Sequence, residues 1–375
     1  MTKNKNLHNA KKVKQDEFYT QLSDIEKEMN AYIDYNPNVF KNKTILLPCD
    51  SPDTSNFTKF FIEHFIELGI KKLISTSYAP KSNIDKQINQ QENILSNDKN
   101  DNTNYPNRGK VLILDKNNIH NDTKINIENF SWNYLKGDGD FRSEEVTSFR
   151  NNADMVITNP PFSLFREFVT WLIEGAVEFS IIGTMNAITY KEVFPLIREN
   201  KMWLGLSGIK SVTYEVPIIG DCEKPQFERD GKRYQSLRNT CWFSNICHGG
   251  INEPLQLMTM SENLQHNKQI IKNLNSYKKY DNYDAIEVPV VSGIPSDYDG
   301  VMGVPISFMD KYNPEQFEII GIAKRGAGDI SLRTKTYTKQ DYKNYSDLNA
   351  GPVIIVDDIP KSVYPRILIR HKRDS

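Results

Sequence analysis

From Thr44 onward, short and almost wholly apolar runs alternate with segments in which apolar residues recur every three or four positions. The first kind reads as buried strand and the second as amphipathic helix. Five runs qualify: TILL at 44–47, KLIST at 72–76, KVLIL at 110–114, MVIT at 155–158 and FSIIG at 179–183. Each is too short and too β-branched to stand alone as a helix, and their alternation with helical segments predicts five parallel strands in an α/β fold. The spacing predicts a helix over 55–68, with Phe57, Phe60, Phe61 and Phe65 on its core face and Gly69 as its stop. A further helix is predicted directly after Phe162, capped by Ser163 and carrying Leu164, Phe165, Phe168, Val169, Leu172 and Ile173 at helical spacing.

Two stretches break the pattern. Residues 81–107 are crowded with Asn, Gln, Asp and Lys and read as an inserted loop without chemistry of its own. Beyond about residue 200 the alternation fades into irregularly spaced Gly, Pro and Tyr, which predicts a change of module. A length of 375 residues also favours two domains, at roughly 150 residues each. No repeat marks a solenoid.

Composition narrows the class. No apolar run reaches the roughly 20 residues of a membrane-spanning helix, and the N-terminal MTKNKNLHNAKKVK is basic without an apolar core, so a cytoplasmic location is expected. The balance of 47 basic against 48 acidic residues, a net charge of −1, neither demands nor excludes nucleic acid, because local clusters decide binding. The four cysteines, Cys49, Cys222, Cys241 and Cys247, are too few for a disulfide scaffold and are expected as free thiols. With His248 they include no C-x2-C pair, so no metal site is expected.

The chemistry gathers at 154–162, DMVITNPPF, where a buried strand delivers Asn159-Pro160-Pro161-Phe162 at its carboxyl end. Open α/β sheets hold ligands at that end. Such a tetrapeptide arises by accident in roughly one of a hundred chains of this composition. Two consecutive prolines fix φ and donate no N–H, which leaves the backbone carbonyls of the turn free to accept. The Asn159 side-chain oxygen and the Pro160 carbonyl can together receive both hydrogens of an exocyclic amine, and Phe162 offers a flat apolar wall for an extruded base. The competing reading is a plain strand-to-helix turn with Phe162 in the core.

With these residues the chain resembles the amino-methyltransferases that use S-adenosylmethionine, specifically the adenine-N6 DNA methyltransferases, whose signature is Asp/Asn-Pro-Pro-aromatic. Within that group it is similar to the EcoRI-type enzymes, through DEFYT from Asp16, GDGDFRS from Gly137, TNPPFSLFRE from Thr158, ITYKEVF from Ile188, KYDNYDAI from Lys279, GVMGVP from Gly300 and NPEQFE from Asn313. The resemblance implies a Rossmann-like S-adenosylmethionine-dependent methyltransferase sheet in an α/β fold with a C-terminal target-recognition module. It implies methyl transfer from S-adenosylmethionine to N6 of an extruded adenine in double-stranded DNA, as the modification half of a type II restriction–modification system. It also implies that Phe18, Tyr19 and Thr20 flank the cofactor and that Asp140 and Phe141 bind and cover its adenine. Pro48, Cys49 and Asp50 stand where the family has a Gly-rich cofactor loop, and this loop contains no Gly.

The expected domains are 1–40, a basic arm and cofactor-flanking segment; 41–248, the catalytic domain; and 249–375, the recognition module. Basic residues expected to serve DNA are Lys324, Arg325, Arg333, Lys335, Lys339 and Lys343, then Arg366, Arg370, His371, Lys372 and Arg373. Residues 206–239 are a second candidate for a loop over the base, with Tyr214 or Tyr234 filling the vacated stack. Gly326-Ala327-Gly328 lacks the ending of a phosphate loop. A monomer with no membrane and no obligate protein partner is expected. Two rivals remain at this level: a protein glutamine-N5 methyltransferase, which shares the tetrapeptide, and a non-catalytic DNA-binding protein on a methyltransferase scaffold.

Overall fold

The computed structural model describes residues 19–79, 107–118, 131–206, 210–216, 227–229, 232–273, 276–326, 332–341 and 347–372. The basic arm, Phe18, nearly all of the 81–107 insert, Cys222, Ala327, Gly328, Lys343 and Arg373 lie outside them. The chain folds as two compact units, Met1–Thr184 with Lys210–Ile246, and Met185–Ile209 with Cys247–Ser375. Residues 185–209, expected within the catalytic domain, thus belong to the second unit.

The first unit is built on a mixed sheet. Its strands are β1 (Tyr19–Thr20), β2 (Thr44–Leu47), β3 (Lys72–Thr76), β4 (Lys110–Asp115), β5 (Asn133–Tyr134), β6 (Met155–Thr158) and β7 (Glu178–Thr184). After β8 (Trp203–Leu204), which lies in the second unit, the sheet gains β9 (Lys210–Val216), β10 (Phe227–Arg229) and β11 (Lys232–Ser244). The order is β1-β9-β11-β7-β6-β2-β3-β4-β5, with β10 paired to β11. The central strands β7, β6, β2 and β3 are parallel, as their continuous apolar runs predict. The fifth expected parallel strand, β4, instead runs antiparallel to β3, with Lys72 opposite Asp115. A parallel neighbour needs a crossover that packs on the sheet, and the polar sequence of 81–107 has no apolar stripe to supply one.

Residues 206–239 also depart from a simple loop, since β9 and most of β11 fall within them. Tyr214 stands opposite Thr20 of β1, and Tyr234 opposite Glu215, so both are strand positions.

Helix α1 (Leu22–Tyr35) was not expected; its Ile25, Met29 and Tyr32 are buried. Helix α2 (Asn56–Glu63) is shorter than predicted. His64 stacks on Phe60 and approaches the Phe60 carbonyl, and the chain then turns to Gly69, whose φ of 64° only glycine adopts freely. Phe57, Phe60, Phe61 and Phe65 are all core, at 2% exposure or less. Fully burying each contributes about 1.5–3 kcal/mol. Helices α3 (Glu144–Asn151) and α4 (Phe165–Glu174) flank β6 in sequence. A 3-10 turn, Phe162–Leu164, precedes α4, so Ser163 lies inside the turn and does not cap the helix.

In the second unit, after α5 (Phe194–Arg198), α6 (Met260–His266) and α7 (Lys268–Asn273), come β12 (Ile286–Glu287), β13 (Met302–Pro305), β14 (Phe317–Ala323), β15 (Val353–Val356), β16 (Ile359–Ser362) and β17 (Arg366–His371). A sheet of order β12-β13-β17-β14 is accompanied by the β15–β16 hairpin. Tyr280, Tyr283, Ala323, Ile354 and Leu368 pack its core. Within it Arg366 and Glu287 form a buried ion pair at 2.6 Å, joined by the Tyr280 hydroxyl.

Candidate active site

Sheet order alone singles out one place. From β2 the chain moves to β3 on one side, while β6 flanks β2 on the other, so the carboxyl ends of β2 and β6 form a topological switch point, where open α/β sheets bind ligands. The β6 ladder ends with Thr158 opposite Ile181, and Asn159-Pro160-Pro161 leave the sheet at that corner. Among the described residues no hydrogen bond reaches the Pro160 carbonyl. The Pro161 carbonyl accepts from Leu164 N at 2.9 Å and closes the 3-10 turn. Asn159 Nδ2 donates to Thr20 Oγ1 at 3.3 Å, while its Oδ1 is shielded from water. Thr20 is held in turn, its carbonyl accepting from Asn56 Nδ2 at 2.7 Å. Phe162 is half-buried and packs against the sheet core.

In the glycine-free loop after β2, hydroxyls and a carbonyl of the neighbouring strand β3 hold the main chain. Thr76 Oγ1 donates to the Pro48 carbonyl at 3.1 Å, Ser75 Oγ to the Asp50 carbonyl at 2.6 Å, and Asp50 N to the Thr76 carbonyl at 3.0 Å. The Asp50 side chain reaches across the switch point, accepting from Thr158 Oγ1 at 2.5 Å and from Ser55 Oγ at 2.7 Å. Burial pushes its carboxyl up to about 7, against the opposing effect of those two hydrogen bonds. Burial, then the Asp50 charge, pushes the Cys49 thiol up, and Asp140 adds to the same effect. Cys49, Cys241 and Cys247 are free thiols.

Close backbone packing brings the 137–141 segment to the end of β3. A Cβ on Gly139, whose φ is 82°, would meet the Ser77 carbonyl at 2.1 Å. Ala79 N donates to the Asp138 carbonyl at 2.7 Å. Tyr78, 38% exposed, stands beside these carboxylates; burial, then Asp138 and Asp140, pushes its hydroxyl up. The Asp140 carboxylate is gripped by Arg142 at 2.9 and 2.7 Å, and Arg142 also bonds Glu167 at 2.6 Å. Phe141 does not face the crevice. At 4% exposure it lies edge-on to Phe168 and Trp171, with ring centroids 4.9 and 5.5 Å away.

Thr20, Cys49, Asp50, Asp140 and Asn159 are therefore linked at the carboxyl ends of the central strands, while Phe141 is committed to the core. Thr158, Ser55, Asn56 and Tyr78 were missed from sequence. The one available signal was hydroxyl residues ending the two strands that flank β2, Ser75-Thr76 and Thr158. Among the described residues no group of three or more side chains suited to a metal ion occurs, and no helix is long and apolar enough to cross a membrane.

The family model for the adenine-specific methyltransferase EcoRI matches residues 6–372. The chain belongs to this family. It is a DNA adenine methyltransferase of the restriction–modification type. The chain is 40% identical to the type II methyltransferase M.EcoRI of Escherichia coli over 88% of its own length and 94% of that protein's. It is 32% identical to the type II methyltransferase M.MgeORF184P of Mycoplasma genitalium, covering 98% of this chain and 99% of the relative. It is 30% identical to the type II methyltransferase M.MpnI of Mycoplasma pneumoniae, covering 98% of each. No solved structure matches the chain significantly.

For an EcoRI-family methyltransferase, the basic clusters of the second unit are less available than their sequence suggests. Arg366 is buried against Glu287, Arg325 is paired with Asp347, Lys335 with Asp281 and Arg370 with Glu318. Arg333 bonds the Tyr283 hydroxyl and the Asn349 carbonyl, and Lys324 bonds Thr189. An open cleft is bordered by Arg198, Asn200, Tyr312, Glu318 and Lys372, where Glu318 pairs with Arg370 and Arg198 acts on the neighbouring Glu199.

Proposed function

We propose that the protein moves a methyl group from S-adenosylmethionine to N6 of an adenine extruded from duplex DNA, at the Asn159-Pro160-Pro161-Phe162 turn. The observation that carries this reading is the unengaged Pro160 carbonyl beside the Asn159 carboxamide, both clear of the sheet ladder at the switch point. The donor set also suits a cationic adenosine compound, with the Asp138 and Asp140 carboxylates gathered beside the Tyr78 ring. Thr20, Pro48, Cys49 and Asp140 are the residues proposed to hold it, with Phe18 and Tyr19 flanking; Asp50, expected with them, has its carboxylate taken up by Thr158 and Ser55. Phe141 supports Asp140 from the core beneath.

When bound, S-adenosylmethionine supplies a methyl on a positively charged sulfur. The residues of the chain do the rest by orientation. Asn159 Oδ1 and the Pro160 carbonyl accept the two N–H groups of the amine and aim its lone pair. The prolines keep the acceptors in place without reorganisation. Phe162 offers an apolar ring edge against which the extruded base packs.

The second unit is proposed as the target-recognition module, with Arg198 and Lys372 contacting backbone phosphates. Double-stranded DNA is its partner, and the chain acts as a monomer.

Asn159→Ala tests the reading. It removes one acceptor together with the Asn159 bond to Thr20, so methyl transfer to DNA drops by at least about a hundredfold while unfolding in urea changes by no more than about 1 kcal/mol. Transfer at the wild-type rate by the folded variant would overturn it.

A further inference from the structure

The Asp50 side chain is 5% exposed, and its carboxylate meets only hydroxyls. One belongs to Ser55, which caps α2 by accepting from Phe57 N at 3.0 Å. The other belongs to Thr158, the last residue of β6 and the one joined to Asn159. Both hydroxyls donate to the carboxylate, an arrangement strongest when that group is ionised. The main chain of Asp50 is fixed to β3 by Ser75 and Thr76. Asp50 is thus a rigid post, standing on β2 and β3, that joins the cap of α2 to the residue that launches the Asn159–Pro160 turn.

We infer that Asp50 is a positioning residue for methyl transfer: its ionised carboxylate, acting through the Thr158 hydroxyl, holds the backbone that carries the Asn159 and Pro160 acceptors. Protonation turns a charge-assisted hydrogen bond into a neutral one of about half the strength. It also forces the carboxyl to donate where it had only accepted, so one of the two hydroxyls must turn away. The groups around Asp50 do not mask this change. From β3 come Ser75 and Thr76, from α2 Thr58 with its cap Ser55, and from β6 Thr158, all neutral. Its own loop contributes the Cys49 thiol, held neutral, and Asp53, which is spent on Lys110 of β4. Asp140 of the 137–141 segment acts on Cys49. Burial places the carboxyl at about 7, so the change falls within the working range of an assay.

The inference rests on the proposed methyl transfer at this turn, and the test separates the two. Steady-state kinetics with S-adenosylmethionine and duplex DNA are measured across pH for wild type, Asp50→Asn, Thr158→Val and Thr158→Ser. In wild type kcat falls on the acid side with a midpoint near that of Asp50. Asp50→Asn keeps the shape but cannot ionise; it lowers kcat roughly ten- to a hundredfold, leaves KM within about threefold of wild type and removes the acid limb. Thr158→Val does the same, the double variant is no slower than either single one, and Thr158→Ser restores the wild-type profile. An Asp50→Asn enzyme that keeps the acid limb, or changes KM alone, overturns the inference. A wild-type enzyme that makes no N6-methyladenine at any pH overturns the functional reading instead.

Discussion

Replacing Asp50 by Asn also exposes the stability cost of keeping a carboxylate at the switch point. Burial raises its pKa from 3.8 to about 7, and no cation offsets the desolvation. The folded value lies above the unfolded one, so the protonated form contributes stability that is complete below the unfolded pKa of 3.8 and is lost as pH rises through about 7. A shift of this size corresponds to about 4 kcal/mol over the whole window. Between about pH 5 and about pH 8 the share lost is roughly 2–3 kcal/mol. Asn cannot ionise, so the wild type loses stability relative to Asp50→Asn by that amount as the pH is raised. Urea unfolding of both proteins at a series of pH values, with the buried Trp242 contributing to the fluorescence signal, reads the difference directly. Subtracting the curves cancels every other titrating group. Curves that stay parallel would refute the reasoning, since the carboxylate would then ionise without penalty.

Phe141→Ala removes a ring packed between Phe168 and Trp171; it should cost about 3–5 kcal/mol in urea unfolding, the signature of a core residue. Glu287→Ala leaves the Arg366 guanidinium, only 10% exposed, without its partner. It should destabilise the protein by about 3–5 kcal/mol in thermal or urea unfolding. Arg198→Ala and Lys372→Ala should each weaken DNA binding uniformly across sequences. Each should also reduce the slope of log affinity against log salt by about 1, measured by fluorescence anisotropy at several salt concentrations.

What could be read from the sequence follows from which interactions are local. The strands β2, β3, β6 and β7 were legible because a strand buried on both faces is a continuous apolar run, and α2 because four phenylalanines share one face. The turn at 159–162 was legible as a turn because Pro-Pro dictates backbone geometry by itself. The direction of β4 was not, since nothing within a strand records the path of the connection before it. Helix α1 escaped because Ile25, Met29 and Tyr32 are diluted among Asp, Glu and Lys. The Asp50–Thr158 bond spans 108 residues and joins residue types common anywhere in a chain. Arg366 looked like a surface cation for the same reason, its partner Glu287 lying 79 residues away. Phe141 was misplaced because an aromatic after Asp serves equally well as a cover for a ligand or as part of the core.

The central claim concerns where the methyl group lands. Purified protein is incubated with S-adenosylmethionine labelled in its methyl group and mixed-sequence duplex DNA, and the DNA is digested to nucleosides and separated. The account predicts that the label appears in N6-methyladenine. Label in a cytosine product, or none in DNA treated with folded enzyme, would contradict it.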